Sequence, residues 1–212
     1  MLIALVLAAA ALVLTSVVVW HGGPIGPDAG WLQAFIDRRS AGWTTAAKTV
    51  SALGDTGTMA GVASVACVVL VWRRLWERAA LVAIASGGAG VIVAVGKPLT
   101  GRDRPPVVDH LVTETNLSYP SGHALGSTVV IGVLVALIVP LLRMAARVAL
   151  VLVAALFVVA VGVSRLYLGV HWPTDVLAGW LIGCCWLTLC LTFRPYLRSL
   201  LARVTGGRAA GV

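Results

Sequence analysis

The sequence predicts an all-α fold, a six-transmembrane-helix bundle whose chemistry sits at the extracytoplasmic end. Three observations carry that prediction. Hydrophobic residues make up 59% of the 212 and charged residues only 11%, where a soluble domain carries roughly 25% charged residues. Six segments contain no Asp, Glu, Lys or Arg, and together they account for half of the chain. The connections between them alternate between basic and balanced charge, as the loops of a multi-pass protein do.

The six segments run Leu2 to Trp20, Thr56 to Trp72, Ala79 to Val95, Ala124 to Leu142, Val148 to Val163 and Val176 to Phe193. At 1.5 Å of rise per residue each approaches the roughly 20 residues that cross a hydrocarbon core of about 30 Å, and the shorter ones recruit flanking residues. The first has no basic stretch before it and no small-x-small cleavage site after Trp20, so it reads as a retained helix rather than a secretory signal. The loop after it opens on turn residues Gly22 to Pro27. Trp31, Leu32, Phe35 and Ile36 then recur at helical spacing, which predicts an amphipathic helix that caps the bundle or lies in the interface. The second span extends back towards Thr44, which places Lys48 at the outer interface. Gly57 with Gly61, Gly179 with Gly183, and the Ser86 to Gly90 cluster predict faces where helix backbones approach closely.

The formal net charge is +8. In a soluble protein this would suggest nucleic acid as partner; here it reports topology instead. Arg73, Arg74, Arg78, Arg143, Arg147, Arg194, Arg198, Arg203 and Arg208 fall on one side against Glu77 alone, which makes that side and both termini cytoplasmic. On the other side the acidic and basic residues cancel. Residues 1–212 thus read as a single integral membrane domain, with 194–212 a cytoplasmic basic tail, and the plasma (inner) membrane is the expected location. Cys67, Cys184, Cys185 and Cys190 lie inside apolar spans without a Cys-x-x-Cys pair, so neither a disulfide framework nor a metal site is expected.

The unusual polar residues gather at span ends on the outer side, within 97–175. One cluster, Lys97 to Pro105, follows the third span; a second, Pro120-Ser121-Gly122-His123, opens the fourth; a third runs from Ser164 and Arg165 through His171 to Asp175. Any one of these residues alone reads as a snorkelling anchor, a satisfied histidine or a turn. Together on one face, Lys97, Arg104 and Arg165 with two helix N-termini form an anion site, and arginine's planar fork suits phosphate. Pro173 suits the first helical position, which leaves Asp175 in the first turn to orient His171. His123 adds a second imidazole. His21 and His110 fit no such pattern, and Asp109 and Glu114 read as solvated.

The three clusters resemble the signature of the type 2 phosphatidic acid phosphatase superfamily: Lys97, Arg104-Pro105; Pro120 to His123; Ser164-Arg165, His171 and Asp175. The resemblance implies a membrane phosphatase that needs no metal and no cofactor. His171 would be the nucleophile and Asp175 its orienting partner, and His123 would protonate the leaving oxygen. Lys97, Arg104, Arg165, Ser121 and Gly122 would bind the phosphoryl oxygens. The residues themselves agree, since fixed cations and N–H groups stabilise charge spreading over a transferring phosphoryl group. A membrane lipid phosphate is the expected substrate: polyprenyl diphosphate, phosphatidic acid or phosphatidylglycerol phosphate. A lipid phosphotransferase using the same phosphohistidine stays open, as does, more remotely, an anion transporter. The superfamily also includes vanadate-dependent haloperoxidases, so vanadate inhibition is expected.

Overall fold

A computed structural model of the protein describes residues 2–206, which contain nine α-helices and no strand. In chain order these are α1 (Leu2–His21), α2 (Asp28–Ile36), α3 (Ala41–Leu53), α4 (Thr56–Trp72), α5 (Trp76–Thr100), α6 (Gly122–Ile138), α7 (Met144–Tyr167), α8 (Pro173–Thr192) and α9 (Arg194–Gly206). Arg208 and the rest of 207–212 of the expected basic tail lie outside the described residues. Helices are the required solution where no water satisfies the backbone. Five are long and apolar enough to cross a bilayer: α1, α5, α6 with its following turn to Leu141, α7 and α8.

The sixth expected span is α3 and α4 together, bent by 43°. The early start near Thr44 is therefore present, but as a separate helix carrying an exposed Lys48. The break has a local cause. The Asp55 carboxylate accepts the Gly57 N–H at 2.8 Å and restarts the helix as a fresh N-cap, and the Thr58 hydroxyl donates back to the Ala52 carbonyl at 2.8 Å. Asp55 is thereby presented at the end of the bundle where the motifs lie.

α6 is the central helix and packs against α4, α5, α7 and α8. Its Leu125, Val129 and Val133 are completely buried and meet Leu81, Val82 and Ala85 of α5. Between membrane helices such packing is dispersion-driven and rewards small residues. The α6–α8 seam shows this: a Cβ on Gly179 would sit 2.8 Å from the Ala124 Cβ, and one on Gly183 would sit 3.0 Å from Thr128. The Gly57 and Gly61 pair behaves otherwise. Gly61 meets nothing within 4 Å and Gly57 only the Asp55 carboxylate, so that stripe is not a packing face within the chain.

The loop helix α2 caps the bundle against α7 and α8. Leu32 is buried beneath it and Phe35 joins Ala124, Leu166 and Val176. At the opposite end Arg194, at the start of α9, donates to Glu77 at 2.5 Å and ties α9 to the start of α5.

Candidate active site

Local sequence delivers the motif residues to one end of the bundle. Lys97 lies in the last turn of α5, which ends on left-handed Gly101 (φ 62°), whose N–H donates to the Lys97 carbonyl at 3.0 Å. Only glycine takes that backbone conformation without strain, and the turn sends Arg102 and Arg104 across the bundle end. α7 carries Ser164 and Arg165 in its final turns, and left-handed Gly169 (φ 76°) then redirects the chain so that His171 stands just before α8. Pro173 opens α8, and Asp175 in its first turn accepts the Trp172 N–H at 2.8 Å. Ser121 caps α6, with its Oγ 3.5 Å from the Ala124 nitrogen, and its N–H donates to the Asp175 carbonyl at 3.1 Å. Through that N–H Ser121 joins α6 to α8, while Gly122 and His123 line the cavity.

His171 is almost completely buried, with Nδ1 3.4 Å from Asp175 Oδ2 and 3.3 Å from Ser118 Oγ. The Ser118 hydroxyl donates to the same carboxylate oxygen at 2.5 Å. On the other side of the ring, Arg104 Nη1 is 3.2 Å from Nε2. A guanidinium can only donate, so Nε2 accepts and the ring proton belongs on Nδ1, facing Asp175 and the Ser118 oxygen. Burial holds the His171 imidazole well below its ordinary value, reinforced by Arg104, Arg165 and Lys97. The result is a neutral imidazole whose Nε2 lone pair faces the cations.

Those cations are engaged with the chain. Lys97 Nζ donates to Asn116 Oδ1 at 2.7 Å and to the Leu117 carbonyl at 2.6 Å. Arg104 donates to the Val170 and Asn116 carbonyls, both at 2.6 Å, and to Glu114 at 3.1 Å. Arg165 pairs with the other Glu114 oxygen and donates to Ser51 Oγ at 2.6 Å. Glu114 is therefore not solvated as expected: its carboxylate bridges two of the three cations, with its side chain only 18% exposed. Burial works against ionisation of Glu114, but Arg165 and Arg104 outweigh it and hold its carboxyl below the usual value. Asp109, by contrast, makes no ion pair among the described residues, and His110 bonds the Pro105 carbonyl at 2.9 Å. His123 Nε2 lies 3.5 Å from Asp55 Oδ1.

A cavity of about 920 Å³ joins these groups. Lys97, Arg104, Glu114, His123 and His171 line its polar end; Met59, Ala63, Cys67 and Val93 continue it as an apolar groove along α4 and α5. A charged headgroup at one end and a hydrocarbon chain at the other would both be accommodated.

Residues 77–199 match the sequence profile described as the PAP2 superfamily. The chain belongs to that superfamily. Among curated proteins, this PAP2 chain is 34% identical over 115 residues to phosphatidylglycerophosphatase B of Bacillus subtilis, a match covering 53% of the chain and 55% of the relative. It is 33% identical over 143 residues to decaprenylphosphoryl-5-phosphoribose phosphatase of Mycolicibacterium smegmatis, covering 65% of the chain and 72% of the relative. The chain thus spans little more than half of the first relative's length. Its fold superposes on the crystal structure of a transmembrane PAP2-type phosphatidylglycerolphosphate phosphatase from Bacillus subtilis with a TM-score of 0.82, at 25% identity, over 92% of this chain and 98% of that one.

The motif residues lie at one bundle end, but Ser118, Asn116, Glu114 and Arg102, which contact them, escape the motifs. The first three lie in the loop before α6, where polar residues look solvated in sequence. For the two charged residues, Glu114 and Arg102, the one signal was the cancellation of charge on that side, part of which takes the form of ion pairs, and the uncharged Ser118 and Asn116 carried none.

Proposed function

We propose that the protein is a lipid phosphate phosphatase that works through a phosphohistidine on His171 and draws its positive charge from side chains rather than a metal. The observation that carries this reading is the cavity, where the His171 imidazole stands with Lys97 and Arg104 at the polar end of an apolar groove and Arg165 lies behind Glu114. His171 Nε2 attacks phosphorus as the bond to the lipid oxygen breaks, and His123 protonates that oxygen. Water then attacks the phosphorus, His123 takes its proton, and inorganic phosphate leaves with His171 restored. Lys97, Arg104, Arg165 and the N-terminus of α6 at Gly122 hold the phosphoryl oxygens. The relatives act, by name, on lipid phosphates of glycerol and polyprenol type, which supports the substrate class. The distribution of basic residues supports cytoplasmic termini and an extracytoplasmic site.

The test is phosphate release by the purified protein in detergent from a panel of lipid monophosphates and diphosphates with excess chelator. Turnover unaffected by chelator is expected; loss of turnover with chelator overturns the metal-free part. Capture of the phosphoryl group by an added alcohol in place of water would make the protein a phosphotransferase.

In this reading Glu114 occupies the place of the substrate anion and must yield it. Breaking its pairs with Arg165 and Arg104 takes binding energy from any incoming anion. Glu114→Gln is therefore expected to lower the inhibition constant of vanadate severalfold, measured in the same assay. Weaker vanadate inhibition would show instead that Glu114 helps to build the anion site.

A further inference from the structure

Behind the His171–Asp175 pair lies a buried ionic cluster that the motifs do not contain. Arg102 is 1% exposed, and its Nη1 donates to Asp175 Oδ1 and Thr174 Oγ1 at 2.6 and 2.7 Å. Its Nη2 donates to Asp28 Oδ2 at 2.6 Å and to the Gly23 carbonyl at 3.0 Å. Asp28, wholly buried at the start of α2, also accepts the Ile25 N–H at 3.1 Å, the Thr174 N–H at 3.0 Å and the Thr174 hydroxyl at 2.8 Å. The Trp172 ring covers the guanidinium at 5.9 Å. Neither Arg102 nor Asp28 lines the cavity.

Burying three ions is a poor route to stability, because desolvation offsets much of their attraction and apolar residues of like volume often serve as well. The cluster does something apolar residues cannot. Asp175 Oδ2 takes the Ser118 hydroxyl, the Trp172 N–H and the His171 ring, while Oδ1 is held from the opposite side by Arg102. Held at both oxygens, the carboxylate cannot rotate away from the imidazole.

We propose that Arg102, anchored by Asp28 of the loop helix α2, is a positioning residue that fixes the Asp175 carboxylate and through it the tautomer and aim of His171. This rests on the reading of His171 as the nucleophile. It also gives the loop between the first two spans a part in catalysis, since α2 supplies the anchor.

Removing Arg102 alone would leave two facing carboxylates and endanger folding. The double variant Asp28→Asn/Arg102→Gln removes one charge of each sign, and a thermal melt checks its fold. Its kcat for a lipid phosphate is expected to fall about tenfold to a hundredfold, the scale of lost orienting contacts behind a reactive histidine. KM and the vanadate inhibition constant should stay within about twofold, since the anion-binding side chains are untouched. In an Asp175→Asn background the same pair of changes should add less than about twofold, because the group they position is already gone. If the double variant does not fold, Arg102→Lys carries the test, with a smaller kcat loss of about threefold to tenfold from losing the fork. An unchanged kcat, or a full additional loss in the Asp175→Asn background, overturns the proposal in favour of a structural role. Wild-type protein that releases no phosphate from any lipid would overturn the phosphatase reading, and this proposal with it.

Discussion

Replacing His171 with alanine is expected to abolish turnover and the covalent phosphoenzyme together. Its ring is the one imidazole clamped by a carboxylate on Nδ1 while its Nε2 faces an arginine at the polar end of the cavity. The cations around it cannot take its place, since Lys97, Arg104 and Arg165 only donate. The loss should reach the order of 10⁵ to 10⁶, as when a nucleophile that works as part of a unit is removed. Rapid mixing with labelled lipid phosphate, followed by an alkaline quench that preserves phosphohistidine, reads the intermediate directly. The variant must still fold, because Arg104 and Asp175 retain Glu114, Asn116, Ser118 and Arg102 as partners. A folded His171→Ala protein that still becomes labelled would refute the assignment.

The second large effect belongs to His123. Its ring lines the same cavity from the first turn of α6, and Asp55, at the α3–α4 break, stands 3.5 Å from its Nε2. Acting on the leaving oxygen, it should be worth about 10² to 10⁴ in rate, the usual scale of general acid catalysis. The diagnostic is the leaving-group dependence of the phosphorylation step read in a single turnover, because the later attack of water, which His123 assists as a base, is common to every substrate. His123→Ala should lose the full factor with a lipid alcohol, which needs a proton to depart, and far less with an aryl phosphate such as p-nitrophenyl phosphate. An equal loss of the phosphorylation rate on both substrates would make His123 a phosphate ligand instead of an acid.

Much of this architecture is legible in the sequence. Charge-free runs of near-bilayer length became α1, α4, α5, α6, α7 and α8, and the spacing of Trp31, Leu32, Phe35 and Ile36 became the capping helix α2. The motif residues converge because each lies at the same-side end of its span, a matter of counting crossings. Less legible was the break at Gly54 and Asp55. There a carboxylate that reads as one more loop charge caps a new helix and places itself beside His123.

The spans and the motif residues were set by the sequence itself. In a bilayer, hydropathy and backbone satisfaction leave the helix as the one local solution, and the reactive residue types stand out against an apolar background. Which charges neutralise which was decided only by the tertiary structure. Glu114 meets Arg165 across 51 residues, and Arg102 reaches Asp175 and Asp28 across 73 and 74. An ion pair depends on a few ångströms of separation and on exclusion of water. Neither is encoded in periodicity or composition until the helices have packed.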